Sequence, residues 1–133
     1  MEEVQTEPSF DETQGGAEMK IYISGKITGD KDYKKKFDDA ELYLRRFAAF
    51  DDSFEVYNPA RLDYGTYEKN LLMDIKKIFE CDAIFMMKNW MDSPGAMAEY
   101  HVAKALKMPI FYEVDQKNDE KILSLYKIMK MNK

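Results

Sequence analysis

The chain has 133 residues, 45% apolar and 34% charged, with six glycines and four prolines, which suits one globular domain and excludes collagen-like and low-complexity classes. Its net charge of −5 is uneven: residues 1–18 hold six acidic groups and no Lys or Arg, leaving 20 basic against 19 acidic groups in the other 115, too little positive charge for a general nucleic-acid binder. No apolar run approaches the roughly 20 residues that cross a bilayer, the acidic start is unlike a signal peptide, and one cysteine (Cys81) with one histidine (His101) cannot build a disulfide framework or a zinc set, so a cytoplasmic, metal-free protein is expected.

Residues 1–18, with few large apolar groups and a Gly15-Gly16 pair, read as a mobile acidic tail, and the domain is expected over 19–133. Met19 to Ser24 predicts a first strand, ended by the loop Gly25-Lys26-Ile27-Thr28-Gly29. Tyr33, Phe37, Ala40, Leu44 and Phe47 recur at helical spacing and predict a helix over about 31–49. Ser53 to Tyr57 is a second strand, closed by Asn58-Pro59. A second helix over about 66–80 has Leu71, Leu72, Ile75, Ile78 and Phe79 as its expected buried stripe, with Asp74 at the stripe's edge, roughly 105° from the centre.

Asp82 to Met87 is a buried third strand running into a polar loop, after which Ser93 as N-cap and Pro94 at the first position open a third helix. Met108 to Tyr112 gives a fourth strand, and Ile122, Leu125, Tyr126 and Met129 stripe a last helix. Short apolar strands alternating with amphipathic helices predict a small doubly wound α/β fold, Rossmann- or flavodoxin-like, with a parallel sheet of four to five strands and helices on both faces.

In such sheets ligands bind beyond the carboxyl ends of the strands where the strand order reverses, between strands one and three if the order is 2-1-3-4. The loops meeting there would be 25–29 and 89–95: Gly25 and Gly29 allow close backbone approach, Lys26 and Thr28 are polar, and Ser93, Gly95 and the free N–H groups opening the third helix offer donors to a phosphate or carboxylate. Neither loop is a phosphate-binding Walker motif or a dinucleotide fingerprint.

Glu99 shares a helix face with Val102, Ala103 and Leu106, the face that should pack onto the sheet. Two readings stand, a glutamate that reaches solvent or pairs with lysine, and a nucleophile or base at a crevice. Asp74 is either a solvated edge residue or the second carboxyl that glycosyl chemistry needs. Tyr22 is either a core tyrosine or a phenol holding Glu99 by a hydrogen bond. Trp90 and Met91 either fill gaps in the packing or stack on a base.

The run Ile21-Tyr22-Ile23-Ser24-Gly25-Lys26-Ile27-Thr28-Gly29, the Asp74 and Asp82 pair before an apolar strand, and Asp92-Ser93-Pro94-Gly95-Ala96-Met97-Ala98-Glu99 together resemble the nucleoside 2-deoxyribosyltransferase-like superfamily, which includes the 2′-deoxynucleoside 5′-phosphate N-hydrolases. The resemblance spans about residues 19–113. It implies that Glu99 attacks C1′ of a nucleoside or its 5′-monophosphate, that Asp74 protonates or orients the leaving base, that Tyr22 positions Glu99, and that Ser93 with its neighbours Asp92 and Gly95 holds the 5′ end. Lys26 and Thr28 stand where those hydrolases carry a serine-arginine type loop, so Lys26 would meet phosphate. No cofactor is implied, and a homodimer or larger homo-oligomer is. From a different class, a non-catalytic nucleotide-binding module keeps the pocket without turnover, and an adaptor working through the acidic tail is a third possibility.

Overall fold

A computed structural model describes residues 19–48 and 54–131. The acidic segment 1–18 and the start of the second predicted strand at Ser53 lie outside the described residues. In chain order the elements are β1 (Met19–Ser24), α1 (Tyr33–Arg45), β2 (Phe54–Tyr57), α2 (Tyr67–Ile78), β3 (Ala83–Met86), α3 (Pro94–Ala105), β4 (Ile110–Tyr112) and α4 (Asn118–Met131), with 3-10 turns at Arg46–Ala48, Pro59–Arg61 and Trp90–Asp92.

The four strands form one parallel sheet in the order β2-β1-β3-β4. Its reversal point therefore lies between β1 and β3, paired in the register Ile21↔Ala83 to Ser24↔Met86. The strands are nearly continuous apolar runs because both sheet faces are covered. On one face Ile21, Ile23 and Phe85 pack with Phe37, Ala40 and Leu44 of α1 and with Ile122 and Tyr126 of α4. On the other, Tyr22, Ile84 and Met86 pack with Ile78 of α2 and Ala103 of α3. The two-residue alternation of β1 thus sends its isoleucines one way and Tyr22 the other.

Helix starts follow local chemistry. Thr66 Oγ1 accepts the Lys69 N–H at 3.1 Å to cap α2, and Ser93 Oγ accepts the Ala96 N–H at 3.1 Å to cap α3, with Pro94 at the first position. The expected stripe of α2 is corrected. Asp74 is 8% exposed and Ile78 buried, whereas Leu72 and Phe79 are 59% and 62% exposed. The face laid on the sheet is the row 71, 74, 75, 78, with Asp74 inside it rather than at its edge. Leu106, expected on the buried face of α3, is likewise exposed past the helix end.

Candidate functional site

Tyr22 and Ser24 are two residues apart on β1, so both side chains rise on the face covered by α2 and α3. Glu99, 6% exposed, comes down onto them from α3. The Tyr22 hydroxyl donates to Glu99 Oε2 at 2.9 Å and the Ser24 hydroxyl donates to Oε1 at 2.6 Å, so both carboxyl oxygens are held from below. Tyr22 is fixed in turn by stacking on Tyr57, with ring centroids 5.4 Å apart. Asp74 of α2 completes the group: its carboxyl raises the titration of Glu99, and the Tyr22 hydroxyl lowers that of Asp74.

Burial dominates the electrostatics. It pushes Glu99 up to about 8; the Ser24 and Tyr22 hydroxyls oppose the rise and the Asp74 charge adds to it. Burial likewise pushes Asp74 up to about 7, with the Tyr22 hydroxyl pulling it back. The Tyr22 phenol is driven well above its ordinary range by burial, then by the charges of Glu99 and Asp74, so it remains a hydroxyl donor. The Asp74 charge acts on Glu99, so the two carboxyls titrate as a coupled pair. Of the two, Glu99 holds its proton more tightly, to about 8 against about 7 for Asp74, and the Ser24 and Tyr22 hydroxyls hold the Glu99 carboxylate once that proton has passed to Asp74.

Both carboxyls line one cavity of about 380 Å³, inside the range of small-molecule sites. Gly25 and Thr28 of the first loop, and Ser93 and Gly95 at the start of α3, line it too. In the first turn of α3 the Ala96 N–H goes to Ser93 Oγ and the Met97 N–H to the Ser93 carbonyl, and Pro94 has none, which leaves the Gly95 N–H as the donor not committed to these bonds. Gly25 is required by packing: a Cβ there would lie 2.6 Å from Met87 Sδ and 3.0 Å from its Cβ.

Three residues expected in the site are placed elsewhere. Lys26, Gly29 and Asp92 line a neighbouring open groove of about 480 Å³ with Asp30 and Asn89. There the Asn89 Oδ1 accepts the Lys26 N–H at 3.1 Å and pins the loop outward. Trp90 packs on Tyr100, centroids 4.5 Å apart, and Met91 is exposed; neither lines the cavity.

The reading of the sequence missed Ser24, although the period of two that turned Tyr22 toward α3 also applies to it. It also missed the far wall, built by the Pro59–Arg61 turn and Lys34. That turn is held by a buried polar knot. Asn58 Oδ1 accepts the Ala60 N–H at 3.0 Å, and its amide donates to Glu41 Oε1 at 3.1 Å and Asp38 Oδ1 at 3.0 Å. Arg61 lies 3.0 Å from Glu41 Oε1, and Arg45 donates to Oε2 at 2.7 Å. Among the described residues lining the cavity, the cations are Lys34 and Arg61. The signal available for Arg61 was its position just past the carboxyl end of β2.

Compared with known proteins, residues 19–112 match the model of a family described as "Domain of unknown function (DUF4406)". No curated protein and no solved structure matches the chain.

Proposed function

The chain belongs to the DUF4406 family, and from the site it carries we propose that it cleaves, or transfers the base across, the N-glycosidic bond of a nucleoside or deoxynucleoside, free or as its 5′-monophosphate. The observation that supports this reading is the pair of buried carboxyls, Glu99 and Asp74, opening into one small cavity, with the Tyr22 hydroxyl donating to Glu99.

In the proposed reaction Glu99 attacks C1′ as the carboxylate. The C1′–N bond breaks with its electron pair passing to the base, and Asp74 delivers the proton that neutralises the base. A glycosyl ester on Glu99 results. Asp74, now ionised, takes a proton from water as that water attacks C1′, returning Glu99 to the carboxylate; a second base in place of water gives transfer. Tyr22 and Ser24 steady the anion before attack and free it as the ester forms.

For the 5′ end the candidate donors are Ser93, the Gly95 N–H and Thr28, with Lys34 and Arg61 as the cations facing a phosphate across the cavity. This replaces Lys26 in that role. A cytoplasmic homo-oligomer belongs to the same reading, and the exposed Leu72 and Phe79 of α2 offer it an apolar surface. No described helix is long and apolar enough to cross a membrane.

The test is to incubate the protein with a panel of nucleosides, deoxynucleosides and their 5′-monophosphates, and to follow free base by chromatography. Base release that drops by about a thousandfold or more in Glu99→Gln is expected, the scale on which nucleophile loss acts. Undiminished release by that variant would sink the assignment. A nucleotide that raises the melting temperature without being consumed would leave a binding module instead.

A further inference from the structure

Gly95 is the second residue of α3, and its backbone does not adopt the left-handed conformation that calls for a glycine. Crowding does not call for one either. A Cβ built on it would meet the Tyr67 hydroxyl oxygen at 3.5 Å, Ser93 Oγ at 3.8 Å and Leu71 Cδ1 at 4.0 Å, all ordinary van der Waals separations. Gly25 is the contrast, since a Cβ there collides with Met87. Alanine holds a helix better than glycine does, so the stability of α3 gains nothing from Gly95. What the glycine leaves is a niche about the width of a methyl group in the wall of the carboxyl-pair cavity.

Three donors border that niche. The Gly95 N–H is the one left uncommitted in the first turn of α3. The Ser93 hydroxyl accepts the Ala96 N–H and keeps its own proton to give. Tyr67, the first residue of α2, reaches across from the other helix, and its hydroxyl has no hydrogen-bond partner among the described residues. Tyr67, Ser93 and Gly95 all line the cavity, and Tyr67 is 49% exposed, so a ligand in the cavity can reach them. Donors gathered at a helix start suit an oxyanion.

We propose, resting on the nucleoside reading of the same cavity, that Tyr67 is a specificity-determining residue: its hydroxyl donates to a 5′-phosphate seated over Gly95 and makes the site prefer a 5′-monophosphate to a free 5′-hydroxyl. A phosphate presents three acceptor oxygens, enough for the Tyr67 hydroxyl, the Ser93 hydroxyl and the Gly95 N–H together. A 5′-hydroxyl presents one oxygen and leaves Tyr67 without a partner. A methyl group at position 95 takes the space through which the phosphate approaches the N–H.

The probes are the four common deoxynucleosides and their 5′-monophosphates. They are titrated calorimetrically into the full chain carrying Glu99→Gln, so that none is consumed, and into the same chain with Tyr67→Phe or Gly95→Ala added. In each pair that binds, the parent chain should hold the monophosphate about a hundredfold tighter than the nucleoside, the scale of two charge-assisted hydrogen bonds. Tyr67→Phe, which keeps the ring and loses the donor, should cut that ratio about tenfold. Gly95→Ala should cut it at least as far while melting no lower than its parent, a combination that a purely structural glycine would not give. Equal affinity for nucleoside and monophosphate overturns the proposal, and so does a ratio unmoved by Tyr67→Phe or by Gly95→Ala. Base release by the wild-type chain, followed in parallel, measures the nucleoside reading separately. Release with the ratio unmoved removes the role of Tyr67 and leaves that reading standing, whereas no release and no binding of any probe removes both.

Discussion

Replacing Glu99 by Gln should make the protein more stable at alkaline pH. The carboxyl is 6% exposed and titrates at about 8 rather than at the ordinary 4.5, chiefly because burial penalises its charge. Below about pH 4.5 the folded and unfolded states are both protonated at this position. From there to about pH 8 the unfolded chain gives up the proton and the folded chain keeps it, so stability falls as pH rises, and above 8 the whole cost is present. At about 1.4 kcal/mol per pH unit, that span amounts to about 4–5 kcal/mol as an upper figure. Glutamine keeps the shape and accepts from Ser24 through its carbonyl, without a charge to bury. Chemical denaturation should therefore find Glu99→Gln within about 1 kcal/mol of wild type at pH 5 and more stable by about 2–4 kcal/mol at pH 8.5. A gap that is constant with pH, or that favours wild type increasingly as pH rises, would refute the account, because it would make Glu99 a comfortable anion already paired in the fold.

Two further substitutions probe how the site is held. Gly25→Ala should cost about 1–3 kcal/mol in urea denaturation, since the new methyl collides with buried Met87 at its Cβ as well as at its mobile sulfur; unchanged stability would mean that the strand end yields freely. Asn58→Ala should cost about 2–4 kcal/mol, because it removes the bonds to Ala60, Asp38 and Glu41 and leaves the Glu41 carboxylate, 5% exposed, with fewer donors. It should also weaken nucleotide-induced thermal stabilisation, through the Pro59–Arg61 wall, and a loss of stability with nucleotide response intact would separate that wall from ligand binding.

Sequence by itself determined the alternation of strands and helices, the cap at Ser93 and the candidacy of Glu99. Each of these is a local property: a period of two or 3.6, a hydroxyl before a helix, or a carboxylate in an apolar row. The rotation of α2 was not local. Its apolar residues occupy two adjoining rows, one through Leu71, Ile75 and Ile78 and one through Leu72, Ile75 and Phe79, and periodicity cannot choose between them. The tertiary structure chose the row containing Asp74, turning it toward the Tyr22 hydroxyl and Glu99. Lys26 lies outside the cavity and Arg61 lines it for a similar reason. Loop composition lists the polar groups near a strand end, but bonds between distant segments, Lys26 to Asn89 and Arg61 to Glu41, decide which of them reach the cavity. Those bonds join residues that chain spacing does not relate, so they exist only once the sheet has brought the loops together.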